Sequence, residues 1–255
     1  MLITGASRGV GLATAKHLAK EGFTVYGTVR SAVPKIAHVH FIDVEGCVET
    51  VLKKEGRIDI LINNAGYAIV GPLEGLSMNE IKEQMDVNFF LPIQLMQEVL
   101  PSMRENKCGH IINITSTNAV NPPPFGSLYG ASKSALESVS EALCVEVKPY
   151  NVSVSIVEPG LLQTGFSLIM GSREIPNNPY KQIINAINIE IEERVAHPEL
   201  LTPSQSAEEI AIFLLSVIQD PKPKLRYQTS EWAKKNIGKR LLDLDGEIYL
   251  NDAST

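Results

Sequence analysis

The chain's apolar residues come in short runs that scarcely alternate with polar ones, and this constrains its fold more than any other feature. Residues 1–4, 24–29, 39–44, 58–63, 110–115 and 153–158 place Val, Ile and their like on consecutive positions. A strand with one wet face reads apolar–polar, whereas a strand covered on both faces reads as a continuous apolar run. Amphipathic stretches lie between the runs. Residues 11–21 carry Leu12, Ala15 and Leu18 on one helical face, residues 79–104 form a long helical stretch, and residues 132–147 carry Leu136, Val139, Leu143 and Val147 at helical spacing. Strand–helix alternation predicts an α/β fold, a doubly wound parallel sheet of Rossmann type with right-handed crossovers. No repeat, low-complexity tract or linker breaks the stretch before Pro159, so residues 1–255 are expected to form a single domain.

Composition narrows the function. A hydrophobic share of 44% with 20% charged residues suits a globule with a substantial core. The net charge of -6 argues against a general nucleic-acid surface. Cys47, Cys108 and Cys144 are widely spaced and form no CxxC pair, which predicts idle thiols in a reducing compartment and no metal site. The apolar run 210–218 is too short to span a membrane. No basic segment precedes the first apolar run, so a cytoplasmic protein is expected. Two places are thin. The first strand has only about four residues, near the low end for strands. The crossover at residues 31–38, with Pro34 inside it, is too short for a helix, since parallel crossovers take about a dozen residues.

Three motifs carry chemistry. Gly5-Ala6-Ser7-Arg8-Gly9-Val10-Gly11 follows the first strand and opens a helix. Such a turn brings backbone N–H groups and the positive end of a helix dipole close to a pyrophosphate, although a plain structural turn can look the same. Asn63-Asn64-Ala65-Gly66 ends the fourth strand, where ligands bind in doubly wound sheets; alone it reads equally as a turn. Ser116 follows the fifth strand, and Tyr129 and Lys133 share one face of a helix. A tyrosine with an ordinary pKa near 10 is a poor base, but a neighbouring cation favours its phenolate and makes proton exchange with a carbinol or carbonyl oxygen feasible. An isolated YxxxK is commonplace and usually means a solvated lysine beside a packed tyrosine.

Taken together, the order TGxxxGxG, NNAG, Asn88, Ser116, Tyr129-x-x-x-Lys133 and Pro159-Gly160-Leu161-Leu162-Gln163-Thr164 resembles the short-chain dehydrogenase/reductase family, in its single-domain branch. The resemblance implies Tyr129 as catalytic acid/base and Ser116 as orienter of the substrate oxygen. It implies that Lys133 holds the nicotinamide ribose and lowers the Tyr129 pKa. Asn88 would anchor a proton-relay water through a distorted helix. Gly5, Ser7, Arg8, Gly9, Val10 and Gly11 would cradle the cofactor phosphates. Asp43 and Val44 would flank adenine, and Asn63, Ala65 and Gly66 would border the cofactor. Pro159, Gly160, Leu162 and Thr164 would form the nicotinamide-side loop. Helices 79–104 and 132–147 would be dimer faces, so a homodimer or homotetramer is expected.

Relatives that prefer NAD carry an acidic residue at the end of the second strand. Here Gly27-Thr28-Val29-Arg30 has none, and Arg30 and Arg8 can reach that region, so NADP(H) is expected as the preferred cofactor with NAD(H) possible. Phe166, Leu168, Ile169, Met170 and Tyr180 fall in residues 165–200, the family's lid position, and residues 201–255 form a C-terminal extension. An apolar lid suits a small apolar alcohol or carbonyl substrate. The segment Leu225-Arg226-Tyr227-Gln228-Thr229 and the Gly27–Arg30 stretch are similar to the 17β-hydroxysteroid and retinol dehydrogenase branch. A 3-oxoacyl-carrier-protein reductase and a non-catalytic dinucleotide sensor are the alternatives.

Overall fold

A computed structural model describes residues 1–30, 35–163, 168–171, 175, 177–185 and 204–242. The sheet strands are β1 (Leu2–Ile3), β2 (Val25–Thr28), β3 (Val39–Ile42), β4 (Ile60–Asn63), β6 (Gly109–Ile114), β7 (Val152–Glu158) and β9 (Arg226–Gln228). They form one seven-stranded sheet in the order β3-β2-β1-β4-β6-β7-β9, and every neighbouring pair is parallel. Two further strands, β5 (Ala68–Val70) and β8 (Leu168–Met170), pair parallel in a small second sheet. This is the doubly wound, Rossmann-type arrangement that the apolar runs predict.

The helices explain why the strands do not alternate. Leu2, Leu61 and Ile111 face a core built with α2 (Cys47–Glu55), α4 (Leu91–Glu105) and α5 (Ser127–Val147). The next residues along the same strands, Ile3, Ile62 and Ile112, face a second core with α1 (Gly9–Lys20) and α6 (Ala207–Gln219). Successive side chains on a strand point to opposite faces, and here both faces are dry. Full burial of one such side chain contributes about 1.5–3 kcal/mol.

Several boundaries differ from the sequence reading. The first strand is two residues long rather than four. Its hydrogen bonding nevertheless continues, because the Thr4 amide donates to the Ile62 carbonyl and the Met1 carbonyl accepts from the Tyr26 amide. The long helical stretch 79–104 is not one helix. It is α3 (Met78–Met85), a π-helical turn Asp86–Phe90 and α4, and the turn, with Asn88 buried in it, stands where the resemblance implies a distorted helix. The helix α5 starts at Ser127, five residues before its apolar periodicity does, and α2 lies where no helix was expected. The latter packs Cys47, Val48 and Val51 inward from only nine residues, too few for a clear periodic signal. In the short crossover, residues 35–38 form no helix and Ile36 makes a single antiparallel bridge to Val39; residues 31–34, Pro34 among them, lie outside the described residues. Phe166 and most of the expected lid, 165–200, also lie outside them. What is described there is not all loop, since β8 runs beside β5. Much of the extension 201–255 is ordered into α6, β9 and α7 (Glu231–Leu241).

The turn after β1 is braced from the side. Asn64 donates from Nδ2 to the Thr4 carbonyl at 2.9 Å, and the Asn64 and Ala65 amides both donate to Thr4 Oγ1, at 3.0 and 2.9 Å. Gly5 takes a φ of +69°, which favours glycine. A Cβ on Gly11 would stand 2.2 Å from the Gly5 carbonyl oxygen, so helix and turn touch through a glycine. Gly11→Ala is therefore expected to destabilise the fold by about 1–3 kcal/mol through overpacking. Urea unfolding checks it: the midpoint should fall with the slope unchanged, and an unmoved midpoint means that the contact gives way without cost.

Candidate active site

All sheet strands are parallel, so their carboxyl ends share one edge, where doubly wound sheets bind ligands. The glycine turn leaves β1 there, Asn63-Asn64-Ala65-Gly66 leaves β4, Ser116 lies just past β6, and Pro159 follows β7.

Ser116 caps the short 3-10 turn Thr117–Ala119, and its Oγ accepts from the Asn118 amide at 3.1 Å. The first turn of α5 brings Tyr129 against it, close enough for the Ser116 hydroxyl to favour the phenolate. Both residues are 8% exposed. One helical turn on, Lys133 is 3% exposed; its Nζ donates to the Ile114 carbonyl at 2.9 Å and lies 5.9 Å from the Tyr129 ring centroid. Asn88, fully buried, accepts at Oδ1 from the Tyr67 amide (3.2 Å). Its Nδ2 donates to the Tyr67 carbonyl (2.9 Å) and to Ser132 Oγ (3.0 Å). A Cβ on Gly66 would stand 3.2 Å from Asn88 Oδ1 and 3.4 Å from Lys133 Nζ, so the NNAG segment closes over both. The structure thus brings Asn88, Ser116, Tyr129, Lys133 and Gly66 together.

The electrostatics differ from the expectation in one respect. Burial pushes the Tyr129 phenol up to about 12, and the hydrogen bond from Ser116 pulls it back only in part. Burial also pulls Lys133 down to about 8, against the charge of Glu137 one turn further along α5. Near neutral pH the tyrosine is thus a loaded proton donor and the lysine still a cation.

The remaining expected residues border the same edge. Helix α1 starts at Gly9 with no side-chain cap and no acid in its first turn, which leaves N–H groups and the dipole's positive end for an anion. Together with the close Gly5–Gly11 approach, this fits a dinucleotide pyrophosphate. Ser7, Gly9 and Val10 are half-buried and Arg8 exposed in this turn. Arg30 is exposed at the end of β2, and its charge reaches the Tyr67 phenol. Asp43 is exposed, with Oδ1 accepting from the Glu45 amide, and Val44 is half-buried beside it. Asn63 points into the sheet instead of into the cleft: it is 2% exposed and donates to Asn113 Oδ1 at 2.8 Å. Ala65 is half-buried over Thr4. The Pro159 carbonyl accepts from the Thr117 amide, Gly160 lies against the Trp232 indole, and Leu162 bridges to Gln205; Thr164 lies outside the described residues. Sequence reasoning missed Thr4 and Asn64 as the brace and Trp232 as the floor under Gly160. Nothing in local spacing marks contacts between residues 60 positions apart.

Residues 38–170 match the family model described as short chain dehydrogenase. The chain is similar to 3-ketodihydrosphingosine reductase of Bacteroides thetaiotaomicron, 43% identical over 66% of this chain and 65% of that protein, just under two thirds of its length. It is similar also to retinol dehydrogenase 8 of Bos taurus (30% identical, 98% of this chain and 87% of that one). Human 17-beta-hydroxysteroid dehydrogenase type 1 is likewise 30% identical, over 98% and 83%. Among solved structures, a short-chain dehydrogenase from Streptomyces avermitilis superposes with a TM-score of 0.80 at 28% identity, covering 97% of this chain and 93% of that one. One from Burkholderia cenocepacia, in complex with NADP, gives 0.75 at 23%, covering 100% and 96%. The chain belongs to the short-chain dehydrogenase family and is an oxidoreductase.

The buried lysine yields a stability test. Its folded pKa of about 8 lies below the ordinary 10.5. Its burial penalty is fully present below about 8 and fades as pH rises toward the unfolded value, because the unfolded chain then holds more protons. Without cofactor, the unmutated protein is expected to gain up to about 1.4 kcal/mol per pH unit relative to Lys133→Met between about pH 8 and 10. Urea unfolding of both proteins across that range reads it. Parallel pH curves mean that Lys133 is not desolvated.

Proposed function

We propose that this enzyme moves hydride between NADP(H) and a lipophilic ketone, aldehyde or alcohol, with Tyr129 exchanging the proton at the substrate oxygen. The observation that carries the reading is the buried, adjacent Ser116–Tyr129 pair, with the Lys133 ammonium and Asn88 packed behind it. When bound, the nicotinamide supplies or accepts the hydride. The chain's own residues do the rest. Ser116 and Tyr129 hydrogen bond the substrate oxygen, and Tyr129, protonated at neutral pH, donates its proton as that oxygen gains negative charge. Reduction therefore starts from the protonation state that burial favours. Lys133 would hold the nicotinamide ribose and keep positive charge near the phenol once the proton has left. Asn88, with both Nδ2 hydrogens donated to the Tyr67 carbonyl and Ser132 Oγ, would fix the π-turn against α5 so that a relay water can meet it.

Substrate and cofactor class rest on further observations. The three relatives are named for 3-ketodihydrosphingosine, retinol and a 17-beta-hydroxysteroid, all largely hydrocarbon. Ile169 is 47% exposed on β8, and Tyr180 packs edge-on against Phe125, which lies four residues before Tyr129. These supply an apolar wall for residues 165–200 acting as a lid on a single domain, with 201–255 as its C-terminal extension. Asp43, Val44, Asn63, Ala65, Pro159, Gly160, Leu162 and Thr164 would border the cofactor as the family resemblance implies, Asn63 through its backbone. Phe90 and Val145, exposed beside and on the long helices, suit a homodimer or homotetramer. Among the described residues no helix is long and apolar enough to cross a membrane; the free cysteines Cys47, Cys108 and Cys144 suit the reducing cytoplasm as the enzyme's location.

Tyr129→Phe should lower kcat by about 10²–10⁴-fold with cofactor binding nearly intact, since only the proton donor is lost. A mutant that keeps a tenth or more of the activity removes Tyr129 from the mechanism. NADPH should be favoured over NADH by roughly 10–100-fold in kcat/KM, the worth of charge-assisted bonds from Arg30 to a 2′-phosphate at about 1.5–3 kcal/mol. Val29→Asp with Arg30→Ala should reverse the preference. An equal or NADH-favouring ratio in the unmutated enzyme contradicts it.

A further inference from the structure

Behind the reactive groups lies a second cluster that none of the roles above uses. Arg226 stands on β9, the edge strand, paired with Ile156 of β7. Its guanidinium meets three carboxylates. Nη1 donates to Glu137 Oε2 at 2.8 Å and to Glu158 Oε1 at 2.6 Å, and Nη2 donates to Glu141 Oε1 at 2.8 Å. Two of these partners lead to the site. Glu137 lies one turn after Lys133 on the same face of α5, and its Oε1 accepts from Thr115 Oγ1 at 2.8 Å, the residue before Ser116. Glu158, fully buried, immediately precedes Pro159-Gly160 and is held also by Gln228. One side chain, 68 residues from Glu158 and 89 from Glu137, therefore joins the ends of β6 and β7 to the catalytic helix.

A structural pin is the simplest use of such a contact, but the charges do more than pin. Burial pushes both Glu137 and Glu158 up toward the neutral acid, and hydrogen bonds from Arg226, and from Thr115 and Gln228, oppose it. Glu137 in turn opposes the desolvation of Lys133. The charged groups around Glu137 are Lys133 and Glu141 on its own helix, Glu158 on β7 and Arg226 on β9; β6 offers only the Thr115 hydroxyl. Around Lys133 they are Glu137 and the Tyr129 phenol on its own helix, with the uncharged Asn88 side chain, Gly66 and the Ile114 carbonyl from the other elements.

We infer that Arg226 is a positioning residue of the reaction: it holds Glu137 as the anion that keeps Lys133 a cation, and fixes α5 against the ends of β6 and β7. The inference rests on the reading of Tyr129 and Lys133 given above. The guanidinium touches no reacting atom and acts through Glu137. The geometry suits arginine over lysine, because a planar fork can serve three carboxylates at once where a point charge cannot.

NADPH binding as a function of pH tests it, followed by quenching of Trp232, the one tryptophan of the chain. Binding to the unmutated protein should weaken above an alkaline limb as Lys133 loses its proton. Glu137→Gln, which keeps a partner for Thr115, should move that limb down by about one pH unit, the effect of one nearby charge. Arg226→Met should move it the same way, because Glu137, left beside Glu158 without a cation, takes up a proton. In the Glu137→Gln background Arg226→Met should move it no further. Turnover of 2-decanone with NADPH should fall by about 10²-fold in Arg226→Met through misplacement of Tyr129 and Ser116. Arg226→Lys should restore part of both effects. A limb that stays in place or rises in Arg226→Met, whatever happens to melting temperature or turnover, leaves Arg226 a pin and overturns the inference. Should Arg226→Met fail to fold, an unmoved limb in Glu137→Gln overturns it instead. Tyr129→Phe separates the two readings: if it stays active, the site assignment itself is wrong, whereas its inactivity with an unmoved Arg226→Met limb sinks only the role of Arg226.

Discussion

Burial of one parallel sheet on both faces is the constraint from which the rest of this structure follows. Parallel strands need crossovers, and the crossovers lay helices on each face. Neighbouring residues such as Leu2 and Ile3, or Leu61 and Ile62, then pack into different cores on the two faces of the same strands. The same constraint directs function. With all seven strands parallel, every loop that leaves a carboxyl end emerges at one edge. The shortest strand, β1, lies among the inner strands, where β2 and β4 hold it from both sides and the Thr4–Asn64 brace extends it. Its two residues suffice because stability comes from the neighbours rather than from strand length.

That edge concentrates groups that water would otherwise solvate. Lys133, Glu137 and Glu158 are all nearly or fully buried, and each would be costly alone. They are tolerated because each is bonded: Lys133 to Ile114, Glu137 to Thr115 and Arg226, Glu158 to Gln228 and Arg226. A buried pair is weak evidence for stability, since an apolar replacement often does as well. The arrangement makes better sense as pre-organisation, in which stability is given up to hold charges where a reaction needs them. Tyr129 follows the same logic, because a phenol kept from water keeps its proton until a developing oxyanion takes it.

Much of this was legible in the chain. Unalternating Val and Ile runs announced two-faced burial, and the order of TGxxxGxG, NNAG, Ser116 and Tyr129-x-x-x-Lys133 announced the family, because these signals are local and survive in one dimension. Whether Asn63 faces the cleft or the sheet was not legible, since both neighbours in Asn63-Asn64 look alike until the pleat assigns one to each side. The π-turn at Asp86–Phe90 left no mark on the apolar pattern, because a single wider turn shifts the helical phase by only one residue.

The sequence by itself determined the fold class, the edge at which chemistry happens and the residue types available there, for each of these depends on periodicity or on motifs a few residues long. Only the tertiary structure decided the electrostatic state of those residues. The pKa of Tyr129 and of Lys133 depends on how much water is excluded and on which groups lie nearby: Ser116 faces the phenol and Glu137 the ammonium, and Glu137 is itself bonded to Arg226 of β9, far along the chain. The sequence marked Arg226 only as part of a tail similar to one branch of the family. Folding β9 beside β7 placed its guanidinium among three carboxylates, and distance in space, which no spacing along a chain encodes, sets the strength of that contact.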